Sequence, residues 1–425
     1  MVGPGLRRVD LAGPMALLMG LTAGCSGGGG TGGGSGVGHN PIASPAENVA
    51  PLSVDLGLPG IDYVNGLFAS VTVCVPGTEE CQTIDHVIVD TGSSGLRLLV
   101  SVLTLPLPAS TDANGVALAA CGQFVSNAIW GPLHAADFRI AGEQASQIAI
   151  QVIGESPYPM PSDCTGVSAN SADTLRANGV LGIGSFLQDC GDPCTKVPGP
   201  TSINPGNYYA CSSTNPGGCK VAAVPLVRQL TNPVALFSQD NNGTIIELPA
   251  IPANGASAVA GALVFGIGTR DNNQLDQAKV LQLDSLGNLW TQYPTDGSQW
   301  SAYLDSGTNG IFFLNSRATN IPVCQNYTDF YCPASTKHLA ATLLDFTGLV
   351  TAPASFSIAN AKTLVGSGAN SAFNDWGGPS AAPGSGSLSP DMLFAWGLPF
   401  YFGRNVFTAI EDQATPVGPG PFVAY

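Results

Sequence analysis

Two aspartates of this 425-residue chain occupy the same local setting, directly after an apolar run and directly before a glycine-rich turn. Asp90 lies in VIVDTGSSGL (87–96), and Asp305 lies in AYLDSGTNGIFF (302–313). The hydroxyl residues and glycines that follow each aspartate favour a tight turn and can donate hydrogen bonds to a carboxylate. The two stretches therefore predict two strands, each delivering a carboxylate to a turn.

The segments around Asp90 predict a series of β-strands. LFASVTVCV (67–75) alternates as a strand does, a turn follows, and QTIDHVIVD (82–90) returns as a second strand. ADFRIAGEQASQIAIQVIG (136–154) indicates a further hairpin, and ANGVLGIGS (177–185) indicates an apolar strand that a glycine ends.

The second half of the chain repeats this order. NGTIIELPAI (242–251) and GALVFGIGT (261–269) predict strands, and WSAYLDSGT (300–308) presents Asp305. GLPFYFGRNVFTAIED (397–412) predicts an apolar strand that ends at Gly403, the counterpart of the first-half strand that ends at Gly182. Two units of similar length and order predict two lobes related by a pseudo-twofold axis. Long helices are not evident, and TKHLAATLLDF (336–346) is the best helix candidate.

Composition supports a β-rich globular protein. Hydrophobic residues make up 44% of the chain and charged residues only 10%, with 54 Gly and 33 Pro. The net charge of −15 offers no basic footprint, which argues against nucleic acid as a partner.

The N-terminus has the features of an export signal. Arg7 and Arg8 precede a short apolar segment, 11–23, that is too short to span a bilayer. LTAGC (21–25) resembles the lipobox of bacterial lipoproteins, which implies a signal peptide over 1–24 and lipidation of Cys25; an ordinary signal peptide cut nearby is the alternative. The Gly-rich residues 25–51 would then be a tether with a reach of roughly 25–30 Å.

Ten cysteines remain when Cys25 is set aside, an even number that fits an exported, oxidised protein. Zinc is the competing interpretation, but no Cys-x-x-Cys occurs and the histidines are scattered, so we expect no metal and no other cofactor. We expect local disulfides, although the sequence does not fix their pairing. The cysteines that lie close together are Cys74 with Cys81, Cys190 with Cys194, Cys211 with Cys219, and Cys324 with Cys332.

If the two aspartates meet, they form a specific chemical device. Two close carboxylates cannot both ionise, so they share a proton and their pKa values separate. Such a pair can take a proton from a water and give one to an amide carbonyl. Thr91 and Ser306 are placed to cross-bond the two turns. Further support would come from Gly N–H groups and outer hydroxyls, namely those of Gly92, Ser93, Gly307 and Thr308.

VDTGSSGL and LDSGTNG resemble the two active-site loops of pepsin-like aspartic peptidases. The resemblance extends from about Leu67 to the C-terminus, through ADFRIAG, NGVLGIG and YFGRNVFTAIED. It implies an all-β, bilobed acid protease fold with a cleft between an N-terminal lobe (52–232) and a C-terminal lobe (233–425). It also implies that Asp90 and Asp305 are catalytic and that a peptide or protein substrate binds in extended conformation.

The chain departs from that family at the flap, the hairpin that covers the substrate. The family pairs a flap tyrosine with a tryptophan, and neither residue is visible here. Phe124 lies near the expected tyrosine, with Trp130 beyond it, and Arg97 stands where the tryptophan would be. Trp130 would either cap the cleft or pack under the hairpin, and Arg97 would be either a solvated strand residue or a substrate contact.

The sequence therefore predicts an aspartic endopeptidase in the bacterial cell envelope. We expect a monomer that meets the membrane only through a lipid anchor. The alternative is a non-catalytic module that binds a peptide or protein on the same scaffold, because the flap motif is missing.

Overall fold

A computed structural model describes residues 42–425 except 125–126, 156–157, 198, 200–203, 213–217, 367 and 381–393. The predicted signal peptide, Cys25 and most of the tether lie outside the described residues. The helices among the described residues are short: α1 Ala172–Leu175, α2 Ser316–Thr319 and α3 Ala361–Val365. None of these helices has the length and apolar character needed to cross a membrane.

Strands make up most of the regular structure in the first half. They are β1 Val49–Asp55, β2 Gly66–Cys74, β3 Cys81–Asp90, β4 Ser94–Leu99, β5 Ala117–Gln123, β6 Asn127–Ile140, β7 Glu143–Ile153, β8 Val167–Ser168, β9 Gly179–Ile183, β10 Tyr208–Cys211 and β11 Cys219–Val221.

The second half is built in the same way. Its strands are β12 Gly243–Leu248, β13 Val259–Phe265, β14 Val280–Gln282, β15 Leu289–Tyr293, β16 Ser298–Leu304, β17 Ile311–Phe312, β18 Val323–Cys324, β19 Tyr327–Tyr331, β20 Lys337–Leu344, β21 Thr351–Ile358, β22 Gly377–Gly378, β23 Phe394–Trp396, β24 Arg404–Ala409, β25 Ala414–Thr415, β26 Gly418–Pro419 and β27 Phe422–Ala424. The all-β, two-lobed prediction is confirmed.

One large sheet runs through both halves, in the order β11-β10-β5-β6-β7-β4-β9-β3-β2-β1-β13-β12-β24-β27-β14. A second sheet, β21-β20-β15-β16-β23-β17-β22, belongs to the second half alone. Strand β1 joins the halves because it pairs with β2 on one side and β13 on the other. The boundary between lobes at 232/233 remains a prediction, but the predicted tether ends too late, since β1 already starts at Val49.

The two aspartate-bearing strands have equivalent neighbours. In the first half, β3 is parallel to β9, β9 is antiparallel to β4, and β4 is parallel to β7. In the second half, β16 is parallel to β23, β23 is antiparallel to β17, and β17 is parallel to β22. This shared topology is the structural form of the internal repeat.

The strand register corrects the predicted counterpart of Gly182. Gly182 lies opposite Asp90 in the β3–β9 pair, and the β16–β23 pair aligns Leu304 with Trp396. The residue after Trp396 is Gly397, which follows Asp305 at the same separation as Gly182 follows Asp90. Gly397, and not Gly403, is therefore the equivalent glycine. A Cβ at Gly397 would lie 2.3 Å from the Thr308 carbonyl oxygen, so the site requires glycine.

The predicted helix at 336–346 is wrong, because this segment forms β20. It pairs with β15 and with β21, and Ala341 and Leu343 are buried on one face. Leu, Ala and Lys favour a helix locally, but two strand partners that are distant in sequence override this preference.

Five disulfides and a continuous apolar core stabilise the fold. The core cluster includes residues from both halves, such as Val89, Phe138, Phe265 and Phe394. The disulfides are Cys74–Cys81, Cys121–Cys164, Cys190–Cys194, Cys211–Cys219 and Cys324–Cys332. Four of them join the neighbouring cysteines noted in the sequence, and Cys121–Cys164 ties β5 to the segment between β7 and β8.

Candidate active site

Asp90 ends strand β3, and the turn that follows supplies its hydrogen bonds. The Gly92 N–H donates to Asp90 Oδ1 at 2.9 Å, and the Ser93 hydroxyl donates to Asp90 Oδ2 at 2.6 Å. The side chain is buried. Its two oxygens are therefore distinguished, one facing a backbone donor and the other a hydroxyl.

Asp305 follows strand β16 and has the same pair of donors. The Gly307 N–H donates to Asp305 Oδ1 at 2.8 Å, and the Thr308 hydroxyl donates to Asp305 Oδ2 at 2.7 Å. This side chain is also buried. The matching donors at matching oxygens extend the pseudo-twofold symmetry from the strands to individual atoms.

Hydrogen bonds cross between the two turns. The Thr91 N–H donates to Ser306 Oγ at 3.2 Å, and the Ser306 N–H donates to Thr91 Oγ1 at 3.0 Å. The Ser306 hydroxyl donates to the Val89 carbonyl oxygen at 2.7 Å, and Thr91 Oγ1 lies 3.1 Å from the Tyr401 hydroxyl. These bonds hold the two aspartate turns together.

The turns that carry the two carboxyl groups lie against each other, beside the cross-bonds between Thr91 and Ser306. Gly307 shows how close the turns are, because a Cβ there would lie 2.7 Å from Asp90 Oδ1. Burial raises the pKa of Asp305, and the neighbouring charge of Asp90 raises it further. Burial also raises the pKa of Asp90, and hydrogen bonding to Asp305 and Ser93 acts in the opposite direction. Two buried carboxyl groups this close share one proton over a range of pH.

Three tyrosines lie near the aspartate pair, and none of them is among the site residues predicted from the sequence. Burial raises the pKa of Tyr63, Tyr303 and Tyr401, and the charges of the two aspartates raise these pKa values further. Tyr303 precedes Asp305 by two residues, so strand alternation places both on one face and could have identified it.

A cavity of about 90 Å³ lies beside the turn that follows Asp90. Its first-half lining is residues 91–94 and 184–186, and its second-half lining includes residues 283, 286–288, 303 and 304. Phe186, Leu283 and Leu286 make much of this lining apolar. The cavity therefore lies between the two halves, next to one aspartate turn.

Trp130 packs under the hairpin and does not cap a cleft. It is 4% exposed, its ring meets Tyr209 edge to face, and its Nε1 donates to the Tyr158 carbonyl oxygen at 3.0 Å. Phe124, at the end of β5, packs against the cluster that contains Tyr63. Phe124 thus stays a candidate cleft residue, while Trp130 belongs to the core of the hairpin.

Arg97 is neither solvated nor placed as a substrate contact. It is 3% exposed on β4, and its Nη2 lies 3.2 Å from Asp189 Oδ2. Its Nη1 donates to the Ser94 carbonyl oxygen at 2.8 Å, and the Tyr208 hydroxyl donates to Asp189. Arg97 therefore forms a buried ion pair behind the Asp90 turn, and both sequence interpretations of it are wrong.

Within the described part of the chain, no group of three or more His, Cys, Asp or Glu side chains could hold a metal ion.

Comparisons with known proteins agree with this architecture. A family model described as "Protein of unknown function (DUF3443)" matches residues 44–425. The crystal structure of the aspartic proteinase from Irpex lacteus is similar, with a TM-score of 0.50, 13% identity, and coverage of 88% of this chain and 96% of that chain. No curated protein matches. At this identity the similarity shows the pepsin-like fold.

Proposed function

We propose that this chain, which belongs to the family described as "Protein of unknown function (DUF3443)", is an aspartic peptidase of the pepsin-like superfamily. The observation that carries this proposal is the pair of buried carboxyl groups with matched donors, on two turns that cross-bond around a pseudo-twofold axis. A single buried turn carboxylate needs only a structural explanation. Two that meet across distant turns and share one proton provide an acid and a base together.

The arrangement supports hydrolysis of a peptide bond in two steps. Ionised Asp90 takes a proton from water as the water oxygen attacks the carbonyl carbon, and Asp305 gives its proton to the carbonyl oxygen. The resulting diol collapses when one hydroxyl returns its proton to Asp305. Asp90 gives its proton to the leaving nitrogen, and the C–N bond breaks. The products are a carboxylic acid and an amine, and the dyad regains its single shared proton.

This mechanism predicts a bell-shaped pH dependence of kcat/KM on a peptide library read by mass spectrometry. Activity should rise as pH passes the lowered pKa of Asp90 and fall as pH passes the raised pKa of Asp305. The pH range of high activity should therefore extend to both sides of the ordinary aspartate pKa of about 3.9. A profile that rises to a plateau at alkaline pH would contradict the shared proton.

The alternative function is peptide or protein binding without turnover, and one observation favours it. The tyrosine and tryptophan with which pepsin-like peptidases clamp substrate are not visible in this sequence. Trp130 packs in the core of the hairpin, and Arg97 forms a buried ion pair. Tight binding of a peptide with a hydroxyl-containing isostere, without turnover of any library member at any pH, would establish this alternative.

We also propose that the protein is exported and anchored to the cell envelope through Cys25. The five disulfides support an oxidising compartment. Mass spectrometry of the mature N-terminus should find Cys25 as the first residue, carrying acyl chains, and a Cys25→Ser variant should lose them and leave the membrane fraction. A mature N-terminus at another residue would exclude the anchor.

A further inference from the structure

Asn65 joins the two halves beside the aspartate pair. It is 1% exposed, and its Nδ2 donates to the carbonyl oxygens of Asn309 and Phe373, both at 2.9 Å. Its Oδ1 accepts from the Phe373 N–H at 2.7 Å, and its own N–H donates to the Ser371 carbonyl oxygen at 2.7 Å. Asn309 Nδ2 in turn donates to the Val64 carbonyl oxygen at 3.3 Å. We call residues 63–65, 309 and 371–373 the closure.

The closure lies close to the site of chemistry. Asn309 follows Asp305 by four residues, which span at most about 14 Å even when extended. Tyr63, at the other side of the closure, lies near enough for the charges of Asp305 and Asp90 to act on its hydroxyl. A strand rises about 3.3 Å per residue, so an extended peptide that runs from the aspartates toward the closure has room for at most about four residues.

The pseudo-twofold axis supplies an internal comparison. Residues 56–65 precede β2, which pairs with the Asp90 strand, and residues 283–288 precede β15, which pairs with the Asp305 strand. The counterpart of Asn309 is Ser94, whose hydroxyl donates to the Phe186 carbonyl oxygen in its own half. Between Ser94 and residues 286–288 lies the cavity described above. Residues 63–65 therefore contact Asn309, whereas a cavity separates the equivalent residues 286–288 from Ser94.

We propose that the closure seals one side of the substrate cleft, so that the protein takes peptides by a chain end and cuts within about four residues of it. This inference rests on the proposed function and narrows the endopeptidase expected from the sequence. Asn65 is the residue that determines this specificity. Its φ of +54° lies in the left-handed region, so glycine can replace it without backbone strain while removing the side-chain bonds.

The test uses peptides with a central statine residue, whose hydroxyl mimics the tetrahedral intermediate, and full-length protein in isothermal titration calorimetry. One series carries one to six residues on the N-terminal side of the statine, and a second series carries them on the C-terminal side. In one series Kd should weaken at least tenfold beyond about four residues, and in the other it should not. Asn65→Gly should remove that limit.

Asn326→Gly is the matched control, because Asn326 is exposed and has a φ of +69° in the β18–β19 hairpin. This variant should keep the wild-type length limit. Wild-type protein that binds six residues on both sides within twofold of the shorter ligands would overturn the closure, whether or not Asn65→Gly folds.

Binding and turnover separate the two proposals. A length limit in binding without hydrolysis of any peptide would refute the peptidase and leave the closure standing. Hydrolysis at interior bonds of long peptides would refute the closure and leave the peptidase standing. Failure of every ligand to bind, short ones included, would refute both.

Discussion

An Asp90→Asn variant should lose about 10³-fold in kcat/KM on every peptide that the wild-type protein cleaves. The amide has the shape of the carboxylate: its oxygen can still accept from the Gly92 N–H, and its NH2 group can donate to the Ser93 hydroxyl oxygen. It cannot take a proton from water, so the base is lost while the turn is kept. Asp305→Asn should cost a similar factor, because it removes the proton that reaches the carbonyl oxygen.

Asp345→Asn is the matched control for these variants. Asp345 is also a buried turn carboxylate, with its oxygens accepting from the Thr347 hydroxyl at 2.7 Å and the Leu349 N–H at 2.9 Å. Its replacement should leave kcat/KM within about twofold of the wild type. If Asp90→Asn keeps full activity and has the thermal midpoint of the wild type, the aspartate pair is not catalytic.

Arg97→Met should lower the free energy of unfolding by about 3–5 kcal/mol at pH 7. The substitution leaves the carboxylate of Asp189 buried without its cation, and an uncompensated buried charge strongly destabilises a folded protein. Urea unfolding followed by tryptophan fluorescence measures the loss. Arg139→Met is the control, because Arg139 pairs with Glu79 at the surface and should contribute less than about 1 kcal/mol.

The loss in Arg97→Met should depend on pH in a defined direction. Burial raises the pKa of Asp189 to about 6, and the charge of Arg97 opposes that rise. Without Arg97 the folded-state pKa is higher still, so the folded variant holds a proton that the unfolded chain releases. A carboxyl group whose pKa is higher in the folded state than in the unfolded state stabilises the fold below the unfolded-state pKa. This contribution is lost as pH rises through the folded-state pKa. The variant should therefore be closest to the wild type near pH 4, and an equal loss at pH 4 and pH 7 would contradict the ion-pair explanation.

Local patterns were sufficient to predict the strands and the chemistry of the aspartate turns. Asp90, Ser93, Asp305 and Thr308 act within their own turns, so the relevant donors are adjacent in sequence. The matched order of the two halves then predicted that the carboxyl groups meet.

Residues whose partners are distant in sequence could not be placed in this way. Arg97 is buried because Asp189 and Tyr208 lie behind it, and Asn65 bonds to residues far along the chain. Residues 336–346 are a strand because β15 and β21 flank them. The counterpart of Gly182 is Gly397 and not the predicted Gly403, because strand register identifies it and an apolar run that ends in glycine does not.

Strand β1 links the order of synthesis to assembly of the molecule. One edge of Val49–Asp55 is covered by β2 of the first half, and the other by β13 of the second. During translation that second edge stays bare until Val259–Phe265 have left the ribosome, and a bare edge is a template for pairing with another chain. Complete burial of the opening strand of the first half therefore waits for the second half.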